Sequence, residues 1–311
     1  MGAAAGFAWY RYTAPGPLAN AANVVVPRGA GVAQIAELLT EHGVLSSPLY
    51  FRLGTLIDGH GAQLKAGEFA FPVQVSPREA AAIIASGRTV VRRLTLPEGI
   101  TVTQAVALLR TAEGMEGDVS TVPPEGELLP DTYFYSWGDS RERMLARQRR
   151  AMTELLKELW DKRAPGLPLK TPQEALILAS IVEKETGVPE ERPRIAAVFL
   201  NRLKRGMRLQ ADPTTIYGLT EGKAPLDRPL SRADLEARNP WNTYAIDGLP
   251  PTPIAIPGRA ALMAVLNPIV SEELYFVADG TGRHLFATTL AEHNRNVARL
   301  RQVERERAAP R

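Results

Sequence analysis

The 311-residue sequence contains no cysteine. Disulfides, thiolate metal sites and cysteine nucleophiles are excluded together. Histidine is scarce as well. His42, His60, His284 and His293 are scattered, with neither an HExxH motif nor paired-ligand spacing, so no metal and no cofactor is expected. An excess of charge of one sign is also lacking. Thirty-seven Lys and Arg face 34 Asp and Glu, a net charge of +3, and the two signs are interleaved along the chain. Nucleic-acid binding therefore has no electrostatic footprint and is not expected.

What is present describes a globular protein. Hydrophobic residues make up 45% of the chain and charged ones 23%, and the length fits two domains better than one. The 25 Pro and 25 Gly point to many short elements joined by firm turns. Gly2 to Tyr10 is apolar and ends in Trp9 and Tyr10, followed by Arg11. At fewer than the roughly 20 residues a spanning helix needs, it cannot cross a bilayer. It reads either as the outer end of a membrane helix or as a floppy small-residue terminus.

Periodicity and turn signals give the coarse organisation. A short strand at Val24–Val26 leads through Pro27 and Gly29 into a helix carrying Val32, Ile35, Leu38 and Leu39 on its apolar side. A second helix is expected from Ser47 to Gly54 and a strand across 65–71. Ser76-Pro77-Arg78-Glu79 is a capping box that opens a helix to about Ser86. Val26-Pro27-Arg28-Gly29 is echoed 70 residues later by Leu96-Pro97-Glu98-Gly99, each copy a strand, a Pro-x-Gly turn and a helix. A long helix over 141–160, a hairpin at 274–287 and a final basic helix from Leu290 to about Arg305 complete the reading.

The helix expected over 172–186 carries the chemistry. Thr171-Pro172-Gln173-Glu174 combines an N-cap, a proline at the first helical position and a capping-box glutamate, while Gly187 and Pro189 stop the helix. Leu178, Ile181, Val182 and Glu185 fall at i, i+3, i+4 and i+7, so Glu185 continues an apolar stripe. Glu183 lies about 200° round the helix, and with Lys184 it reads as solvated. Partial burial and the helix C-terminal dipole both act to raise the Glu185 pKa, as a general acid requires. The plain alternative is a glutamate at a frayed end, in water or paired with Arg192 or Arg194.

Leu178-Ala-Ser-Ile-Val-Glu-Lys-Glu-Thr186 resembles the signature of the endolytic murein transglycosylase family, also called YceG-like. The resemblance continues in order through Ala197–Leu203, Gly206–Gly218, Leu230–Leu235, Asn242-Thr-Tyr244, Gly248–Pro251, Ile256-Pro-Gly258, Leu274–Gly280 and His293-Asn294, with Pro130–Tyr133 before them. It covers roughly residues 20 to 305. It implies an α+β fold, with a small LysM-like α/β subdomain over 20–89 and a larger mixed α+β catalytic domain over 90–311. Residues 1–19 would be the remnant of a membrane anchor and linker. By the same resemblance the chain is a single-pass protein of the cytoplasmic membrane with its catalytic domain outside. It would cut the β-1,4 bond between N-acetylmuramic acid and N-acetylglucosamine inside peptidoglycan strands without water. The products are 1,6-anhydromuramic ends, and cell-wall synthases (penicillin-binding proteins) are the expected partners.

Glu185 is the family's catalytic position. By their places in the matching blocks, Gln210, Asp212, Thr214, Tyr217, Asn242 and Tyr244 are candidate substrate-binding residues. One departure is Glu127, where an apolar residue is usual. A hydrolase with Asp212 as second carboxylate, and a non-catalytic glycan-binding scaffold, remain open alternatives.

Overall fold

A computed structural model describes residues 2–308. The fold is α+β, and the chain divides into two compact units. One comprises residues 1–94, 112–117 and 133–141, and the other comprises 95–111, 118–132 and 142–311.

The first unit contains α1 (Gly2–Thr13), β1 (Ala22–Val26), α2 (Val32–Glu41), α3 (Pro48–Ile57), β2 (Gly67–Phe71) and α4 (Pro77–Ser86). β1 and β2 pair antiparallel, with Val24 opposite Phe69. The alternation of β1 turns Val24 and Val26 inward, onto Ile35 and Leu39 of α2, Phe51 of α3 and Ile84 of α4. The Ser76 capping box forms as the sequence predicts, with both reciprocal bonds made to Glu79. The floppy reading of the terminus does not hold. Residues 2–13 are helical, and Tyr12 is buried with its hydroxyl donating to Asp58 at 2.5 Å. Among the described residues no helix is long and apolar enough to cross a membrane.

Onward along the chain come β3 (Arg92–Thr95), α5 (Val102–Thr111), β4 (Thr132–Tyr135), α6 (Arg141–Asp161), α7 (Pro172–Glu185), α8 (Arg192–Lys204), α9 (Asp212–Thr220), α10 (Arg232–Glu236), α11 (Arg259–Leu266), β5 (Tyr275–Ala278), β6 (His284–Ala287) and α12 (Leu290–Ala308). β3 pairs with β4, and β5 with β6. The 70-residue echo in the sequence is real in form. Both Pro-x-Gly turns place their glycine in the left-handed region, Gly29 at φ 78° and Gly99 at φ 76°, ahead of α2 and α5.

The core of the second unit is built on α7. Residues Ala175 to Glu183 are all buried, packed among α6, α8 and α11. Thr171 caps the helix as expected by accepting from the Glu174 N–H at 3.1 Å. The reciprocal half of that box is not made, because the Glu174 carboxylate takes the Lys170 N–H instead. The helix stops because Thr186 turns extended, at φ −143° and ψ 135°, and not through a left-handed glycine.

Candidate active site

The last turn of α7 directs two carboxylates to opposite fates. Glu183, expected in solvent, is 9% exposed. Its Oε2 accepts the Gly258 N–H at 2.8 Å, and Oε1 accepts Arg192 Nη2 at 3.0 Å. Gly258 is the N-cap of α11, so the carboxylate also meets the positive end of that helix. Burial pushes the Glu183 pKa up, against the lowering pull of the Gly258 N–H and Arg192. Helical phase failed here because α7 is buried on almost every side, so that leaving the apolar stripe does not mean entering water.

Glu185 faces a cleft of about 380 Å³ in the same unit, together with Arg202, Gln210, Asp212, Tyr244 and His293. Neither arginine proposed as its partner reaches it. Arg192 pairs with Glu183 and Glu98, and Arg194 with Glu273. The Glu185 pKa is raised to about 8, first by burial and then by the negative field of Asp212, with Arg202 pulling it down. At pH 7 this carboxyl group holds its proton.

Each wall of the cleft has an identifiable origin. Arg202, 7% exposed, extends from α8. Its Nε donates to the Leu274 carbonyl at 2.6 Å and its Nη1 to the Leu209 carbonyl at 2.7 Å. These partners are neutral, so its charge remains to act on Glu185. Its guanidinium lies 5.3 Å from the Tyr275 ring centre, and Tyr275 stacks on His293 at 5.2 Å. Burial, then Arg202, lowers the His293 pKa, which leaves a neutral imidazole at pH 7.

Gln210 sits at φ 53°, a left-handed conformation that is strained for a side chain with a Cβ. Two bonds to Thr243 hold it there. Gln210 N–H donates to the Thr243 carbonyl at 3.2 Å, and Ala211 N–H to Thr243 Oγ1 at 2.9 Å. The bend sets Asp212 at the first position of α9, where Tyr244 Oη donates to its Oδ1 at 2.6 Å. Burial and Asp212 push the Tyr244 pKa up, which keeps the phenol protonated.

Three of the six sequence candidates, Gln210, Asp212 and Tyr244, thus line the cleft with Glu185. Thr214 and Asn242 have no exposed surface and lie beneath it. Thr214 Oγ1 donates to the Ala211 carbonyl at 2.7 Å and shares a 2.8 Å bond with Thr243 Oγ1. Asn242 Nδ2 donates to the carbonyls of Asp234, Leu235 and Ala237, while its Oδ1 accepts Thr215 Oγ1 and the Tyr244 N–H. These bonds fix the loop that carries Tyr244. Tyr217 lies outside this cleft and lines a neighbouring hollow, its hydroxyl donating to Glu125 at 3.4 Å and its ring against Trp241. Glu127 pairs with Arg149 at 2.7 Å. Sequence reasoning passed over Arg202 and His293, although both lie inside the matching blocks. An arginine within the buried stripe of α8 was the available signal.

A protonated glutamic acid beside a carboxylate, a phenol and an uncompensated arginine is a site equipped for proton transfer. The sequence pattern of the YceG-like family matches residues 24–299, and the chain belongs to that family. It is 29% identical to the endolytic murein transglycosylase of Bacillus subtilis, covering 88% of this chain and 83% of that protein. The endolytic murein transglycosylase of Streptococcus pneumoniae serotype 2 is 28% identical over 95% of this chain, which spans 62% of that relative's length. A crystal structure of a YceG-like protein from Listeria monocytogenes superposes with a TM-score of 0.54 at 27% identity, over 89% of this chain and 99% of that one.

Proposed function

We propose that the chain is an endolytic peptidoglycan lytic transglycosylase with Glu185 as its single acid–base group. The observation that carries this reading is a glutamate with no hydrogen-bond partner among the described residues, set beside Asp212 in a polar cleft, its pKa pushed up to about 8. Glu185 donates that proton to the glycosidic oxygen as the β-1,4 bond between N-acetylmuramic acid and N-acetylglucosamine breaks. The resulting carboxylate then takes the proton of the muramic 6-hydroxyl, whose oxygen closes onto the anomeric carbon. The substrate supplies its own nucleophile, with the advantage of an intramolecular attack. Asp212, oriented by Tyr244, offers negative charge to the developing oxocarbenium ion. Arg202 moderates the glutamate while it is ionised.

The names of the relatives support this reading, and so does the architecture of the first unit. Its strand–helix–helix–strand order with antiparallel β1 and β2 suits a LysM-like glycan-holding subdomain. Exposed Phe7, Trp9 and Tyr10 on α1 suit a position at a membrane surface, with the catalytic domain outside. A role in trimming nascent strands beside wall synthases rests on the family resemblance.

Asp212 in the same cleft favours one second reading, a hydrolase with two carboxylates. Mass analysis of digested glycan strands separates the two. Anhydro ends, one water lighter than reducing ends, are expected to dominate, and a digest of reducing muramic ends would replace the transglycosylase with the hydrolase.

A further inference from the structure

A second hollow opens beside the catalytic cleft, and the proposed chemistry leaves it unused. It has a volume of about 770 Å³ and begins at Asp212, which lines both spaces. Pro213 and Ile216 of α9 form one wall, and Pro225, Leu226 and Leu230 form another. Lys184, adjacent in sequence to Glu185, completes the lining.

The charges in this groove are unequal. Arg228 is neutralised by Asp234, at 2.6 and 3.0 Å. Lys184 donates only to the Gly99 carbonyl, at 3.1 Å, and forms no ion pair among the described residues. Two polar groups of the lining are already committed. Thr101 Oγ1 donates to the Gly222 carbonyl at 3.0 Å, and Gln104 Oε1 accepts the Thr101 N–H at 3.0 Å. Proline and aliphatic walls, with an unpaired ammonium at Lys184 and the Asp212 carboxylate where the groove meets the catalytic cleft, suit small aliphatic side chains and a carboxylate paired with Lys184 better than a hydroxyl-rich ring.

We propose that this groove takes the acidic stem peptide carried by muramic acid, with Lys184 binding one of its carboxylates. The proposal rests on the glycan-cleaving reading and makes the peptide a specificity element of that reaction. Because Asp212 lines both spaces, a strand with its reacting bond at Glu185 would lead its peptide into the groove that Lys184 lines.

The test compares glycan strands bearing their stem peptides with the same strands stripped by an amidase, each scored by kcat/KM for new anhydro ends. The wild type is expected to prefer peptide-bearing strands. In Lys184→Gln the ratio of kcat/KM on peptide-bearing over stripped strands falls about tenfold, mainly through KM, as loss of one charged hydrogen bond predicts. Lys184→Arg restores most of the ratio. A wild type without preference, or a Lys184→Gln loss equal on both substrates, overturns the peptide assignment and leaves glycan cleavage standing. A wild type that cuts neither substrate removes the proposed function and this proposal with it.

Discussion

Glu183 and Glu185 lie two residues apart on one helix, yet the protein treats them oppositely. Glu183 is buried and answered, with an arginine on one oxygen and the N–H of a helix N-cap on the other. Glu185 is half-buried and unanswered, raised by the field of the Asp212 carboxylate and touched by a cation, Arg202, only through its field. Burial raises the pKa of both, but only Glu185 lacks groups that would fix its charge. A carboxylate given partners holds the structure together, whereas one denied them keeps a transferable proton.

The largest break in this contrast is Glu185→Gln. Cleavage should fall by about 10³-fold or more, the scale of a lost general acid, while binding of glycan strands in a pull-down and the circular dichroism spectrum remain. Next in size is Glu183→Ala, which leaves Arg192 and the Gly258 N–H without their buried acceptor. It should cost about 3 kcal/mol, read as a lower denaturation midpoint. Glu183→Gln, silent by helical phase alone, should also destabilise, by a smaller amount.

A third effect reverses the usual direction. With a native pKa of about 8 against an unfolded value near 4.5, folded Glu185 binds more protons than unfolded Glu185 between those pH values. Its contribution to stability is therefore fully present below about 4.5 and is lost as pH rises through about 8. Glu185→Gln, which does not titrate, should gain stability relative to the wild type as pH is raised from 4 to 8.5, read as a growing difference in urea-melt midpoints. The smallest effect is Tyr244→Phe, which removes the hydroxyl from Asp212 Oδ1 and should lower kcat about tenfold with little change in stability.

Local signals in the sequence carried the reading as far as local physics reaches. Thr171, Ser76 and the two Pro-x-Gly turns declare their element starts because caps and left-handed glycines are settled within a few residues. The inward turn of Glu185 was legible because an apolar stripe is a local feature, whereas the Asp212 field that also raises its pKa comes from 27 residues on. Glu183 was not, since its surroundings come from Arg192 and Gly258, the latter 75 residues away. The same holds for Thr214 and Asn242, whose bonds to Thr243 and Thr215, 29 and 27 residues away, depend on how the 242–243 segment folds against α9. Arg202 joins the site only when Leu274 and Leu209 come to its guanidinium.

The central claim is that Glu185 stays protonated at neutral pH. Site-specific ¹³C labelling of its carboxyl carbon, followed by NMR from pH 4 to 10 in the folded protein, measures this directly. A titration midpoint near 8, with a fall in kcat/KM over the same range, is the result expected of a general acid. A midpoint near 4.5, the ordinary glutamate value, would contradict the account.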